Sequence, residues 1–197
     1  NLVPDSARGL AVNAAGTVAF VSAVTAAPAA AGYGVFLAHA DGSFATLAAS
    51  GTITAGSAPG TDGTFAKFHD VALNDAGLVI FSATLGGAQG RQGYWVGHDA
   101  ADLQLLVMEG QQIEVLPGVF KTVGNLDTGL HDLADIRVLP LDDGLNNAGQ
   151  FAFSVIFDDG TQAVLRTPLV SSVPEPASAA LWLAGLAVLG GLARRRV

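Results

Sequence analysis

Cysteine is absent from the 197 residues. That excludes disulfide frameworks, thiolate metal sites and a cysteine nucleophile. Charged residues make up only 13% while half of the chain is apolar. A disordered solvating polymer needs the opposite balance, so a packed core is expected. Basic residues are few, and three of the nine are the consecutive Arg194, Arg195 and Arg196. Without the last twenty-five residues, six basic side chains face sixteen acidic ones, a formal charge of −10. Such a body has no clustered Lys and Arg to contact phosphates, which argues against a nucleic-acid partner. No Met or signal peptide leads the chain, which opens at Asn1. The sequence therefore reads as a fragment or processed form, with an export signal expected upstream.

Long apolar runs are missing from the body, but one closes the chain. Ser171 to Pro176 is a linker with two prolines, and proline disfavours helix just before it. Ala177 to Ala193 is seventeen uncharged residues rich in Leu and Ala. As a helix at about 1.5 Å per residue it spans roughly 25 Å, the short end of what crosses a bilayer. Its apolar residues run all the way round, whereas a helix packed on a soluble core shows a polar stripe. Arg194 to Arg196 then form a cationic stop, which places 194–197 in the cytoplasm and the body outside.

This order closely resembles the PEP-CTERM sorting signal: a Pro-Glu-Pro motif, one hydrophobic span and a short basic cluster at the terminus. Here these are Val173-Pro174-Glu175-Pro176, Ala177–Ala193 and Arg194–Arg196. The resemblance implies a membrane protease of the exosortase type as partner, cutting near the motif. It further implies a host among Gram-negative bacteria that make extracellular polysaccharide, and a body anchored in the inner membrane and then transferred to the cell surface or released.

Glycine, at 25 residues, is plentiful, and the body shows why. The pattern Asn, two residues, Gly, three residues, Phe occurs as Asn13–Gly16–Phe20, Asn74–Gly77–Phe81 and Asn146–Gly149–Phe153, spaced by 61 and 72 residues. Recurrence at such a period indicates repeats. Asn bonds its own backbone, and Gly supplies positive φ without steric cost, so each Asn-x-x-Gly reads as a hairpin turn. Short apolar lead-ins (Leu10–Val12, Val71–Leu73, Leu145) precede the turns. Alternating runs follow them: Val18, Phe20, Val24; Val79, Phe81, Leu85; Phe151, Phe153, Val155, Phe157. That alternation marks half-buried strands with the Phe as core anchor. Gly34-Val-Phe36 is matched by Gly93-Tyr-Trp95 and Ala163-Val-Leu165, and a fourth run follows at Phe44–Leu47 or Leu103–Val107. Thr61–Phe68 and Pro117–Val123 read as connectors.

The expected fold is all-β: four-stranded up-and-down meanders of the kind found in a β-propeller blade, as an open arc or fragment, plus one C-terminal transmembrane helix. The β-repeat body takes residues 1–170, with units near 8–60, 61–125 and 126–169. The linker follows at 171–176, the helix at 177–193 and the basic tail at 194–197. A β-sandwich or open solenoid built from the same hairpins is the alternative. The three Asn-x-x-Gly-x-x-x-Phe motifs resemble those of bacterial choice-of-anchor tandem-repeat proteins, which implies an exchangeable anchor and no particular activity.

Candidates for chemistry are thin. His69-Asp70 recurs as His131-Asp132, which suggests one metal or acid/base site per unit or, more simply, a capped turn. With His39 and His98 added, the spacings give no close pair of zinc ligands. Asp41-Gly42, Asp142-Asp143-Gly144 and Asp158-Asp159-Gly160 carry carboxylates, but they lack calcium-loop spacing and match hairpin turns. Ser22, Ser82 and Ser154 lack the Gly-x-Ser-x-Gly elbow. Thr61-Asp-Gly63 has no following Lys to cradle phosphate. No cofactor, metal or catalytic residue is assigned. The expected role is a non-enzymatic structural or binding module, with extracellular polysaccharide or matrix as partner. The alternative is a polysaccharide hydrolase or lyase on a propeller scaffold, recognised by acidic or His side chains converging from successive units.

Overall fold

The computed structural model describes residues 2–3, 9–26, 30–50, 57–87, 90–126 and 144–168. Within them the chain is all-β, in three antiparallel sheets. The first sheet holds β1 (Leu2–Val3), β2 (Leu10–Val12), β3 (Val18–Ala26), β4 (Ala30–Ala38) and β5 (Phe44–Ala49), with β1 and β2 both pairing β3. The second runs β6 (Phe65–Leu73), β7 (Val79–Leu85), β8 (Gln92–Gly97) and β9 (Gln104–Met108) in sequence order. The third runs β10 (Gln112–Leu116), β11 (Val119–Asn125), β12 (Gln150–Phe157) and β13 (Gln162–Pro168). The expected helix at 177–193 lies outside the described residues, as do the sorting residues 173–176 and Arg194–Arg196. Among the described residues no helix is long and apolar enough to cross a membrane.

The pairing partner on the lead-in side of each Asn-x-x-Gly turn is built differently in the three sheets. In the second sheet it is the single strand β6, bulged between Phe65 and Lys67 and between Phe68 and Val71. In the first it is split: β2 pairs the turn-proximal part of β3, while Leu2 and Val3 pair Val24 and Ala23. In the third, Leu145 makes only an isolated bridge to Phe151, and β11 pairs β12 further along, at Val123↔Phe157. Pro117–Val123 is therefore turn and strand rather than a connector. Gly118 takes φ 77° there, and its N–H donates to Glu114 Oε1 at 2.7 Å. The sequence signal was ambiguous because Leu145 alone is too short a lead-in to form a strand.

Strand alternation sends each sheet's two sets of side chains to opposite faces. The second sheet is covered on both. Val71, Val79, Phe81 and Trp95 pack with Ala19, Val35, Leu37 and Leu47 of the first sheet. Ala72, Ile80, Tyr94 and Val107 pack with Val123, Phe151, Val155 and Phe157 of the third. This explains why β7 is apolar at successive positions rather than alternating. Of its two polar residues, Ser82 is fully buried, and its hydroxyl accepts from the Asp70 N–H, within the bulge of β6, at 3.2 Å.

The recurring Gly-x-aromatic has a steric cause. A Cβ on Gly93 would meet the Trp95 ring at 2.8 Å and Val107 O at 3.0 Å. A Cβ on Gly34 would meet the Phe36 ring at 2.6 Å. The ring two residues on, on the same face, lies back across the glycine. Where the aromatic becomes Leu165, alanine stands at 163.

Candidate functional site

The three Asn-x-x-Gly turns have the same internal geometry. The N–H groups of Gly16, Gly77 and Gly149 donate to the carbonyls of Asn13, Asn74 and Asn146 at 3.0, 3.0 and 3.1 Å. The glycines sit at φ 77°, 83° and 68°, the left-handed region that closes a type I turn into a hairpin. Each Asn side chain then caps the turn from inside. Its Oδ1 accepts from Thr17 N, Leu78 N and Gln150 N respectively, at 2.9 Å in each case. The Asp-Gly turns at Asp41-Gly42 and Asp159-Gly160 close the same way, with Ser43 N and Thr161 N donating to the Asp carboxylates at 2.8 and 3.0 Å.

The turns also bond to one another. Asn13 Nδ2 donates to Asn74 O at 3.2 Å, and Asn74 Nδ2 donates to Asn146 O at 3.1 Å. The residues one place on repeat the step. Ala14 N donates to Asp75 Oδ1 at 2.8 Å, Asp75 N donates to Asn147 Oδ1 at 2.9 Å, and Asn147 Nδ2 returns a bond to Asp75 Oδ2. The result is a hydrogen-bonded ladder across all three sheets, in which the side chains of Asn13 and Asn74 each donate to the next turn along the chain. Burial follows position: Asn74, with a rung on each side, is 4% exposed, whereas Asn146 at the end is exposed. Asn146 Nδ2 turns to its own Gln150 Oε1 at 2.9 Å. The sequence marked these asparagines as turn residues, but nothing in one sequence shows that successive turns touch.

The other candidates are engaged in local structure. His69 bonds Thr84 Oγ1 at 2.7 Å, and Asp70 Oδ1 accepts from Val71 N at 2.9 Å. Both residues lie in the β6 bulge. His131 and Asp132, and Asp142 and Asp143, lie outside the described residues. His39 Nδ1 lies 3.4 Å from Thr17 Oγ1. His98 Nδ1 meets Asp102 Oδ2 at 2.8 Å, and the N–H groups of His98 and Asp99 donate to Asp102 Oδ1. Burial alone would raise the Asp102 carboxyl, but these donors outweigh it and hold it below its ordinary range. Among the described residues no three His, Asp or Glu side chains converge as metal ligands do. No buried side-chain N or O among them lacks a partner.

A family model described as a family of unknown function (DUF7453) matches residues 5–180, most of the chain. A second model, the PEP-CTERM protein-sorting motif, matches residues 172–197. No curated protein and no solved structure matches the chain.

Proposed function

We propose, from the premise that this chain belongs to the DUF7453 family of unknown function and ends in a PEP-CTERM sorting motif, that it is an exported protein whose β-body plays a non-catalytic structural or binding role at the cell surface or in the matrix. The sorting motif carries the reading. It implies export and processing by exosortase, a membrane enzyme. In this reading Ala177–Ala193 spans the inner membrane, Arg194–Arg196 hold it from the cytoplasmic side, and cutting near Pro174-Glu175-Pro176 passes the body outward. Extracellular polysaccharide or another matrix component is its partner.

The body reads as three tandem units of one propeller-like blade, in an open arc, of the choice-of-anchor kind. Support comes from three meanders with the same turn geometry, the middle one covered on both faces. The non-catalytic role is supported by how the polar side chains are used: the ladder asparagines and the described histidines bond turns, bulges and neighbouring sheets.

The test is fractionation of the full chain in a host with and without an exosortase. With the enzyme, a species lacking the tail should leave the inner membrane. Without it, or with Glu175→Ala, the chain should stay membrane-bound. An uncut chain found in the cytoplasm would overturn the sorting claim. For the body, retention on matrix polysaccharide without release of oligosaccharide is expected; product release would refute the non-catalytic role.

A further inference from the structure

The outer face of the first sheet repeats the face that the second sheet buries. Leu10, Phe20, Phe36 and Phe44 stand where the second sheet has Val71, Phe81, Trp95 and Leu103, as the shared turns and registers define (Leu10↔Phe20↔Phe36, Val71↔Phe81↔Trp95). The second-sheet residues pack under the first sheet. Among the described residues no further sheet lies over the first-sheet set: Leu10 is 65% exposed against 1% for Val71, and Phe44 53% against 8% for Leu103, while Phe36, flanked by the Phe20 and Phe44 rings, is itself buried. Phe20, Phe36 and Phe44 form an aromatic trio with centroids 5.6–5.9 Å apart.

The third sheet presents the complementary side. Val164 stands where the second sheet has Tyr94 and the first has Val35, by the pairs Ser154↔Val164, Ser82↔Tyr94 and Val21↔Val35. Those counterparts are buried against the following sheet, while Val164 is 72% exposed. Ala152 likewise takes the place of Ile80 and Ala19. The ladder is open at the same two places. Among the described residues Asn13 O accepts only from its own Gly16, whereas Asn74 O and Asn146 O each accept an Asn from the preceding sheet as well. Asn146 Nδ2, at the other end, donates only to its own Gln150.

We propose that the chain associates head to tail with a second copy of itself, the outer face of one copy's third sheet seating on the outer face of the other's first sheet. Asn13 O, with one lone pair left, and the second N–H of Asn146 Nδ2, each beside an uncovered half of one repeated interface, identify the occupant as another sheet of the same kind. The second copy is the source because its third sheet is the remaining uncovered face of that kind among the described residues. Asn146 of one copy then donates to Asn13 O of the next. Repetition of this step closes two copies into a ring of six sheets or continues as a filament. The inference uses the packing and the ladder, and stands whether or not the tail is processed.

The absence of cysteine makes site-directed crosslinking clean. Within the chain, residue 14 meets 75 and 75 meets 147, so 14 and 147 of different copies should meet at the new interface. Two differently tagged pools of the full chain in detergent micelles, Ala14→Cys and Asn147→Cys, are mixed and oxidised. The control pairs Ala14→Cys with Asp62→Cys, whose side chain is 90% exposed and away from the ladder. The expected heterodimer yield is at least about tenfold over the control, since positioned thiols outcompete random collision. Leu10→Glu or Val12→Glu in the Ala14→Cys pool should remove the excess without lowering the urea midpoint, because both side chains are exposed in the single chain. Equal yields with Asn147→Cys and Asp62→Cys would overturn the proposal. So would an excess that survives both glutamates.

Discussion

Replacing the middle rung of the ladder should cost several times what replacing the end rung costs, although the two asparagines occupy the same place in the same motif. Asn74→Ala removes two bonds at once: the cap from Leu78 N at 2.9 Å and the inter-sheet bond to Asn146 O at 3.1 Å. Each is worth about 1 kcal/mol net. Leu78 is buried, so its N–H loses its partner away from water, adding a desolvation cost of about 1–3 kcal/mol. The total is about 3–5 kcal/mol. Asn146→Ala removes caps to Ala148 N and Gln150 N and a bond to Gln150 Oε1, all exposed. Water replaces these partners, and the cost is about 0.5–1 kcal/mol. Asn74→Asp separates cap from rung. It keeps the acceptor for Leu78 N, loses the donor, and turns a carboxylate oxygen toward Asn146 O. It should fall between the two at neutral pH and recover part of the loss in acid, where the protonated carboxyl donates again. Urea unfolding reads this through Trp95, which is fully buried and donates to Pro59 O at 3.1 Å. A Trp182→Phe background removes the second indole. Equal losses for Asn74→Ala and Asn146→Ala would show that the ladder bonds contribute nothing beyond closing each turn.

Gly93→Ala should destabilise by about 1–3 kcal/mol, because the new methyl meets both the Trp95 ring and Val107 O and neither can retreat in a filled core; Gly42→Ala, a left-handed position with open space around it, should lose less in packing and more in backbone strain, and urea midpoints with near-ultraviolet dichroism of Trp95 separate the two. Phe81→Ala should cost about 3–5 kcal/mol, since its ring is fully buried between Phe65, Phe68 and Trp95, and loss of cooperativity across all three sheets in hydrogen exchange checks it. Asp159 is held well below the ordinary carboxylate range by the Lys121 ammonium at 2.8 Å and by the Thr161 hydroxyl and N–H. A carboxyl depressed on folding stabilises above its unfolded pKa of about 4 and loses that contribution as pH falls toward the folded value. Asp159→Asn should therefore lower the urea midpoint slightly at pH 7, with the difference shrinking below about pH 4. Replacing Arg194, Arg195 and Arg196 by Ala should invert or abolish the orientation of the tail, read by protease protection of a C-terminal tag in spheroplasts.

Much of the architecture was written in local chemistry. The strand after each Asn-x-x-Gly turn was legible because Gly at positive φ and an Asn that bonds its own backbone permit little else, and because Phe at fixed offset marks a buried face. The Gly-x-aromatic pairs were visible as a pattern, and their cause, a ring lying over a strand backbone, became plain only in three dimensions. The strand at Val119–Asn125 was misread as a connector because its place beside β12 depends on a partner about thirty residues away rather than on its own alternation. The His69-Asp70 pair looked like chemistry because those residue types can do chemistry; the bulge that holds them is a property of β6 pairing with β7.

By itself the sequence determined the all-β class, the hairpin turns and the sorting tail, since each depends on steric or solvation preferences of residues adjacent in the chain. Tertiary structure alone decided that the turns join into one ladder, that the middle sheet is covered on both faces, and that Leu10 and Phe44 of the first sheet's outer face stay exposed. Those outcomes depend on which sheet lies against which, and a motif recurring after 61 and 72 residues shows that the turns repeat without showing that they touch.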